Sequence, residues 1–123
     1  MKHFLLAILV VLAGFACKRD KVDPKGPVDV EYRVTSSSGA AVAYITYTNE
    51  TGGTTRLDEA PLPFSVKFKF SQRPGPLALR GILPNQGGQQ QSVTGTILVD
   101  GQPVESETGD GTSAVVDLVH VLQ

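Results

Sequence analysis

The chain has 123 residues, a formal net charge of −1, one cysteine and no tryptophan. This length fits a single domain, and one cysteine cannot form a disulfide within the chain, so the fold must rest on its own apolar core. The near-zero net charge argues against a nucleic-acid partner, which requires a basic face to neutralise phosphates.

The N-terminal segment has the pattern of a secretory signal peptide. Lys2 and His3 precede an uninterrupted apolar run over 4–13, and charged residues begin abruptly at Lys18. The apolar run is too short for a helix that spans a bilayer, which needs roughly twenty apolar residues. A positive start, an apolar run of this length and small residues before a cleavage point indicate export. The alternative is a buried core helix.

Cys17 follows this segment and predicts a lipidated N-terminus. Its position resembles the lipobox of bacterial lipoproteins, in which the signal is cut before a cysteine that is then acylated. Ala16 fits the small residue expected there, whereas Gly14 stands where leucine is usual and Phe15 where a small residue is usual. The two or three acyl chains of a lipoprotein would hold it at a membrane, since one chain binds only marginally. The alternatives are ordinary cleavage that leaves a free thiol, and no cleavage.

These features divide the chain into a signal peptide (1–16), a lipidated cysteine with a flexible tether (17–27) and a folded domain (28–123). The tether is rich in charge, proline and glycine, which excludes a regular element, and it reaches about 35 Å when fully extended. Lys18 stands where aspartate marks inner-membrane retention in enteric-type sorting. We therefore expect a lipid anchor in the outer membrane, with the domain facing the periplasm or the cell surface.

The domain has the pattern of short β-strands. Apolar and polar residues alternate over Val28–Thr35 and over 64–71, which predicts half-buried strands. The second of these carries three of the five phenylalanines, so we expect it at the centre of the core. Further strands are predicted over 42–48, 54–57, 77–83, 93–99, 102–107 and 113–122.

Turn residues separate the predicted strands. Asp100-Gly101 is a preferred pair for a tight hairpin, and turns are also predicted over 49–53 and 109–111. Pro103 cannot donate to a ladder, so its strand should lie at a sheet edge. Short strands without a helical stretch after residue 17 predict an all-β fold, an antiparallel immunoglobulin-like β-sandwich of about seven strands.

No residue set predicts catalysis, a cofactor or a metal. His120 is the one histidine beyond the signal peptide, and no serine lies in a Gly-x-Ser-x-Gly motif, so we expect His120 to be structural. Glu105, Glu107 and Asp110 lie among glycines and could offer oxygen ligands to Ca²⁺. Their spacing does not match a calcium loop, and a solvated turn is the preferred interpretation.

Three features are candidates for binding. Tyr44 and Tyr47 fall on opposite faces of their strand, so one of them could anchor an interaction. The uncharged loop 85–91 is rich in glutamine and asparagine, whose amides both donate and accept hydrogen bonds, and could contact a carbohydrate or a peptide. A small basic patch for an anionic ligand could form from Lys67, Lys69, Arg73 and Arg80.

Four segments in order resemble the small mycobacterial membrane protein family of the MmpS type: VEYRVT (30–35), ITYTN (45–49) with GGTT (52–55), LPFS (62–65) and TILVDGQPV (96–104). LPFS has phenylalanine where the family has tryptophan. The family carries a transmembrane helix and late cysteines, whereas this chain has a short signal that ends at Cys17. The resemblance implies a small extracytoplasmic β-sandwich that assists a large envelope transporter.

The sequence as a whole predicts a membrane-anchored lipoprotein whose domain is a non-catalytic binding or accessory module for an envelope protein or transporter. One alternative is a module that binds a glycan or another small ligand at the glutamine- and glycine-rich loops. A small hydrolase that uses His120 and a purely structural envelope component are the others.

Overall fold

The computed structural model describes residues 26–123 of the chain. The predicted signal peptide, Cys17 and most of the tether lie outside the described residues. Within these residues no helix is long and apolar enough to cross a membrane. They form eight strands: β1 (Val28–Thr35), β2 (Val42–Thr48), β3 (Thr54–Pro61), β4 (Phe64–Phe70), β5 (Gly75–Ile82), β6 (Gln91–Val99), β7 (Gln102–Gly111) and β8 (Val115–Leu122).

The strands form two four-stranded antiparallel sheets, one in the order β4-β1-β6-β7 and the other in the order β3-β2-β5-β8. We call them sheet A and sheet B. The hairpins β2-β3 and β6-β7 stay within one sheet, and every other connection between described strands crosses to the other sheet. The predicted all-β sandwich is therefore confirmed, with eight strands where about seven were expected.

The core lies between the sheets and is built from the inward-facing half of each strand. Alternation places Val30, Tyr32 and Val34 of β1 on the buried side, and the charged residues between them face solvent. The Tyr32 hydroxyl donates a hydrogen bond to the Thr48 carbonyl oxygen of the opposite sheet, at 2.8 Å. This bond satisfies a polar group that burial would otherwise leave without a partner.

Strand β4 lies at the edge of sheet A, so the prediction that it sits at the centre of the core was wrong. Phe70 is fully buried, whereas Phe64 and Phe68 are only half-buried. The ring of Phe68 packs against Tyr32, at a centroid separation of 5.7 Å. Alternation predicted the strand and its inward face, but strand order depends on which strands pair, and β4 has one neighbour, β1.

The predicted turn over 109–111 is absent, because β7 continues to Gly111 and the chain turns after it. Gly109 is needed at this point because a side chain there would collide with the backbone carbonyl oxygen of Val115 on β8. The Glu107 carboxylate also accepts a hydrogen bond from the Asp117 backbone N–H, at 3.0 Å. Strands β7 and β8 thus close one side of the sandwich. The predicted edge position of the Pro103 strand is confirmed.

The sandwich has two ends of different character. The chain enters next to the β4-β5 connection, where Arg73 Nη1 donates to the Gly26 carbonyl oxygen at 2.6 Å. The Asp100-Gly101 turn lies at the same end, since the Asp29 and Asp100 backbones are hydrogen bonded. We call this the tether end. The connections β1-β2, β3-β4, β5-β6 and β7-β8 lie at the other, distal end.

Candidate functional site

The outer face of sheet A is a polar surface that carries two ion pairs. Lys69 lies 3.0 Å from Asp29, and Arg33 lies 2.6 Å from Glu31, which also accepts from Ser65. Hydrogen bonding to the Lys69 ammonium lowers the pKa of Asp29, and bonding to the Arg33 guanidinium lowers that of Glu31. Among the described residues, Lys67 lies on the same face and forms no ion pair within 4.0 Å.

The outer face of sheet B, which we call the β8 face, is different. Among the described residues, all four large hydrophobic side chains that are exposed lie on it: Tyr44, Val115, Val119 and Val121. Val119 and Val121 are 55% and 56% exposed, respectively. Exposed apolar side chains grouped on one face, rather than scattered, are typical of an interaction surface.

The β8 face is arranged in rows across the four strands. Nearest the distal end, Tyr44, Ile82 and Val115 lie side by side. The next row carries the charges Arg56, Arg80 and Asp117, with Thr46 between the arginines. Towards the tether end the β5 and β8 part of the face is apolar again, with the register partners Ala78–Val119 and Pro76–Val121, whereas β2 and β3 carry the pair Thr48–Thr54.

The charged row contains groups without a close partner among the described residues. Arg80 and Asp117 are direct cross-strand neighbours, yet no ion pair within 4.0 Å joins them there, and Arg56 has only an exposed contact with Asp58, at 3.5 Å. Arg80 separates two shallow hollows of about 290 and 220 Å³. The face therefore combines unpaired charge with apolar area.

One of Tyr44 and Tyr47 was expected on the outer face as a candidate anchor, and the structure places Tyr44 there, with Tyr47 turned inward and half-buried. The valines of β8 were missed. Their signal was present, because β8 carries apolar residues on both faces, Val116 and Leu118 inward and Val115 and Val119 outward. A strand with one wet face does not show this pattern.

The distal end carries two hollows on either side of the β1-β2 connection. One, of about 420 Å³, is lined partly by Ala40, Leu62 and Pro63. The other, of about 280 Å³, lies against the β5-β6 loop and is lined by Ser38, Gly39, Ala40, Ala41, Gln86, Gln89, Gln90 and Gln91. The distal end thus offers apolar contacts and neutral amide groups, with no charged residue lining either hollow.

Gln91 was counted in the predicted amide-rich loop, but its side chain has a structural role. Its side chain is buried, and Nε2 donates to the Pro84 carbonyl oxygen at 2.8 Å and to the Thr112 carbonyl oxygen at 3.0 Å. It therefore ties the β5-β6 loop to the β7-β8 turn. Asn85 is also structural, because its Oδ1 accepts from the Gly88 N–H, which leaves Gln86, Gln89 and Gln90 to face a ligand.

The residues considered for catalysis and metal binding are placed on β7 and β8. His120 is half-buried, and its Nδ1 lies 3.4 Å from a Glu105 carboxylate oxygen. Glu105 and Glu107 lie on the face of β7 that is turned towards β8, where they contact His120 and the Asp117 backbone N–H, respectively. Asp110 lies on the opposite face of β7. No group of three or more potential metal ligands forms within the described residues, so the two glutamates link β7 to β8 without Asp110.

The predicted basic patch is divided by the fold. Lys67 and Lys69 lie on the outer face of sheet A, Arg80 lies on the outer face of sheet B, and Arg73 lies at the tether end. These four cations therefore do not form one site.

Comparison with known families places most of the chain in one of them. Residues 10–118 match the family model described as "Mycobacterium membrane protein". The match begins within the apolar N-terminal segment and ends within β8. It confirms the resemblance drawn from the four sequence segments. A search of curated proteins finds no match to the chain.

Proposed function

Because the chain belongs to the Mycobacterium membrane protein family, we propose that it is a membrane-anchored lipoprotein whose β-sandwich is a non-catalytic accessory module for an envelope transporter. The observation that carries this proposal is the division of the sandwich into two ends. The chain enters at the tether end, and the hollows between connecting loops lie at the distal end. An anchored domain would present the distal end away from the lipid.

Acylated Cys17 would be the anchor, with the signal peptide removed and the tether spanning the short gap to the domain. Two or three acyl chains bind a bilayer far more strongly than one chain. The lysine after the cysteine favours an outer-membrane destination, so we place the domain in the periplasm or at the cell surface.

The anchor is tested by intact mass and membrane fractionation of the wild type and of Cys17→Ser. We expect a wild-type mass that corresponds to residues 17–123 plus acyl chains, and loss of membrane association in the variant. An unacylated wild type in the soluble fraction would refute the anchor. A variant that stays in the membrane would show that Cys17 is not what holds it.

The transporter contact is tested at the distal end. We expect gentle solubilisation and affinity capture of the full-length protein to recover a membrane transporter in stoichiometric amount. The double variant Gln86→Glu/Gln90→Glu should recover much less, because it places charge in the amide-lined hollow. Gln102→Glu is the matched control, since Gln102 is exposed at the tether end. Equal recovery by all three proteins would contradict contact through the distal end.

A second candidate function is favoured by the amide-lined hollow of about 280 Å³. Neutral amides donate and accept hydrogen bonds as sugar hydroxyls do, so this hollow could hold a glycan. Binding on a glycan array that Gln86→Glu/Gln90→Glu removes would support this function over the transporter contact. A silent array would eliminate it.

We also propose that the chain is not an enzyme. Among the described residues, the one side-chain partner of His120 is Glu105, which gives the imidazole no nucleophile to activate. Hydrolysis of general ester or glycoside substrates that His120→Ala abolishes would overturn this.

A further inference from the structure

The two outer faces of the sandwich differ in their ion pairs and in their exposed apolar side chains. On sheet A, Asp29 pairs with Lys69 and Glu31 pairs with Arg33, and the face has no large exposed hydrophobic side chain among the described residues. On the β8 face, four exposed apolar side chains surround a row in which Arg80 and Asp117 do not pair with each other. Exposed apolar area combined with unpaired charge indicates a surface that another molecule covers.

We propose that a second copy of this chain covers the β8 face, and that the two copies are related by a two-fold axis parallel to the strands. Such an axis lies in the space between the two facing sheets, over the gap that separates β2 from β5. It places each strand of one copy opposite a different strand of the other copy. β3 then lies opposite β8, and β2 lies opposite β5. The interface is isologous, so every contact occurs twice.

Charge complementarity selects this occupant and this axis. In the charged row, Arg56 on β3 and Asp117 on β8 are the outermost residues of the sheet. The proposed axis brings Arg56 opposite Asp117 of the second copy, and Asp117 opposite Arg56 of the second copy. A two-fold axis that lies over the charged row and runs perpendicular to the strands would instead bring Arg56 to Arg56 and Asp117 to Asp117, and like charges repel across an interface.

The same axis brings the apolar residues of β2 and β5 together, and it places Val119 opposite Thr54 of the second copy. Because an axis parallel to the strands keeps each row at its own height, Tyr44 lies opposite Ile82 of the second copy. Arg80 lies opposite Thr46 of the second copy, at the hollows that flank it. Packed sheets lie about 10 Å apart, a spacing that arginine and aspartate side chains can bridge. The ion pair of Arg56 with Asp58 does not oppose this, since exposed pairs contribute little.

Membrane attachment favours the same axis independently. Two copies held by one membrane attach without stretching either tether along the domain when their tether ends lie on the same side. An axis parallel to the strands leaves both tether ends together, whereas the perpendicular axis sends them to opposite ends. This step uses the anchoring in the proposed function, but the apolar area and the charges do not depend on it.

The size of the face fits a dimer formed on a membrane. The four strands of sheet B lie about 4.8 Å apart and are seven or eight residues long, so the face measures about 19 by 25 Å. Two such faces bury roughly 1,000 Å² in total, which is near the lower limit for specific interfaces. Confinement to one membrane raises the effective concentration of the second copy, which strengthens an association of this size.

The test is a charge exchange in the full-length protein, extracted in detergent and examined by analytical ultracentrifugation. We expect the wild type to dimerise. Asp117→Arg and Arg56→Asp should each weaken dimerisation at least about tenfold, because each creates two like-charge contacts. The double variant Arg56→Asp/Asp117→Arg should return to within about threefold of the wild type. Both positions are exposed, and far-UV circular dichroism confirms that each variant is folded.

Lys67→Asp is the matched control, because it reverses an exposed cation on the outer face of sheet A, and it should dimerise as the wild type does. A monomeric wild type, single variants that dimerise normally, or a double variant as weak as the single variants would each overturn the proposal. So would an equal loss in the control. Dimerisation in detergent does not require Cys17 acylation. Ultracentrifugation therefore tests the dimer, and intact mass with membrane fractionation tests the lipid anchor, so one proposal can fail without the other.

Discussion

Tyr32 shows how a single residue connects the two sheets. It is the largest of the fully buried side chains in the part of the chain that the structure describes, and its hydroxyl donates to the Thr48 carbonyl oxygen across the core. Its ring packs against Tyr47 at a centroid separation of 5.2 Å. Burial raises the pKa of Tyr32 well above its ordinary value of 10.0, because the phenolate would lose its hydration in the core.

This shift predicts an alkaline loss of stability. Below pH 10 the phenol is protonated in both states, so its contribution is complete. Above pH 10 the unfolded chain loses this proton while the folded protein keeps it, so the free energy of unfolding falls as pH rises, by up to about 1.4 kcal/mol per pH unit. Urea titrations from pH 9 to pH 11 should show this slope, and Tyr32→Phe should reduce it. Tyr44→Phe, on the exposed face, should keep the full slope.

Gly109 is a position where even a methyl group has no room. A Cβ there would collide with the Val115 carbonyl oxygen, which belongs to backbone and cannot rotate away. We expect Gly109→Ala to lower the free energy of unfolding by about 2 kcal/mol or more, as overpacking does. Gly53→Ala, where the nearest atom is 3.4 Å away, should cost less than about 1 kcal/mol. Equal costs in chemical denaturation would contradict close approach of β7 to β8.

The β6-β7 hairpin shows how an element is fixed by its turn and its neighbour together. Asp100 and Gly101 both have positive φ, 50° and 81°, as a tight hairpin turn requires. The Asp100 N–H donates to the Asp29 carbonyl oxygen at 2.8 Å, and its Oδ1 accepts from the Asp29 N–H at 2.9 Å. The turn therefore also secures the start of β1.

We expect Asp100→Ala to destabilise the protein by about 1–2 kcal/mol, because it removes one hydrogen bond and disfavours positive φ. Asp100→Asn should cost much less, since asparagine tolerates this conformation and keeps the acceptor oxygen. Thermal unfolding of both variants measures the difference. If Asn is as harmful as Ala, the acceptor is not what matters.

At the scale of the whole molecule, the tether end and the distal end predict an orientation at the membrane. If Cys17 is acylated, a single introduced cysteine is the only free thiol. A fluorophore at Gln102→Cys, at the tether end, should be quenched by lipid-borne quenchers more strongly than one at Gln89→Cys, at the distal end, and both positions are exposed. Strands of eight residues separate the two ends by about 26 Å. Equal quenching would mean that the domain lies on its side.

Local pattern determined much of this protein. Alternation predicted β1 and β4 with their inward faces, the Asp100-Gly101 pair predicted its hairpin, and Pro103 predicted an edge strand. Period-two patterns report which side of a strand is buried, and turn residues report where a strand stops. The order of four motifs was enough to identify the family, which the family match confirms.

Only the tertiary structure decided what depends on strand pairing. It placed β4 at an edge, extended β7 through Gly109, separated Lys67 from Arg80 and brought Arg56, Arg80 and Asp117 into one row. These residues are distant in sequence, and no local preference relates them. Their neighbours are set by which backbone edges hydrogen bond and how the two sheets stack, and these are properties of the whole chain.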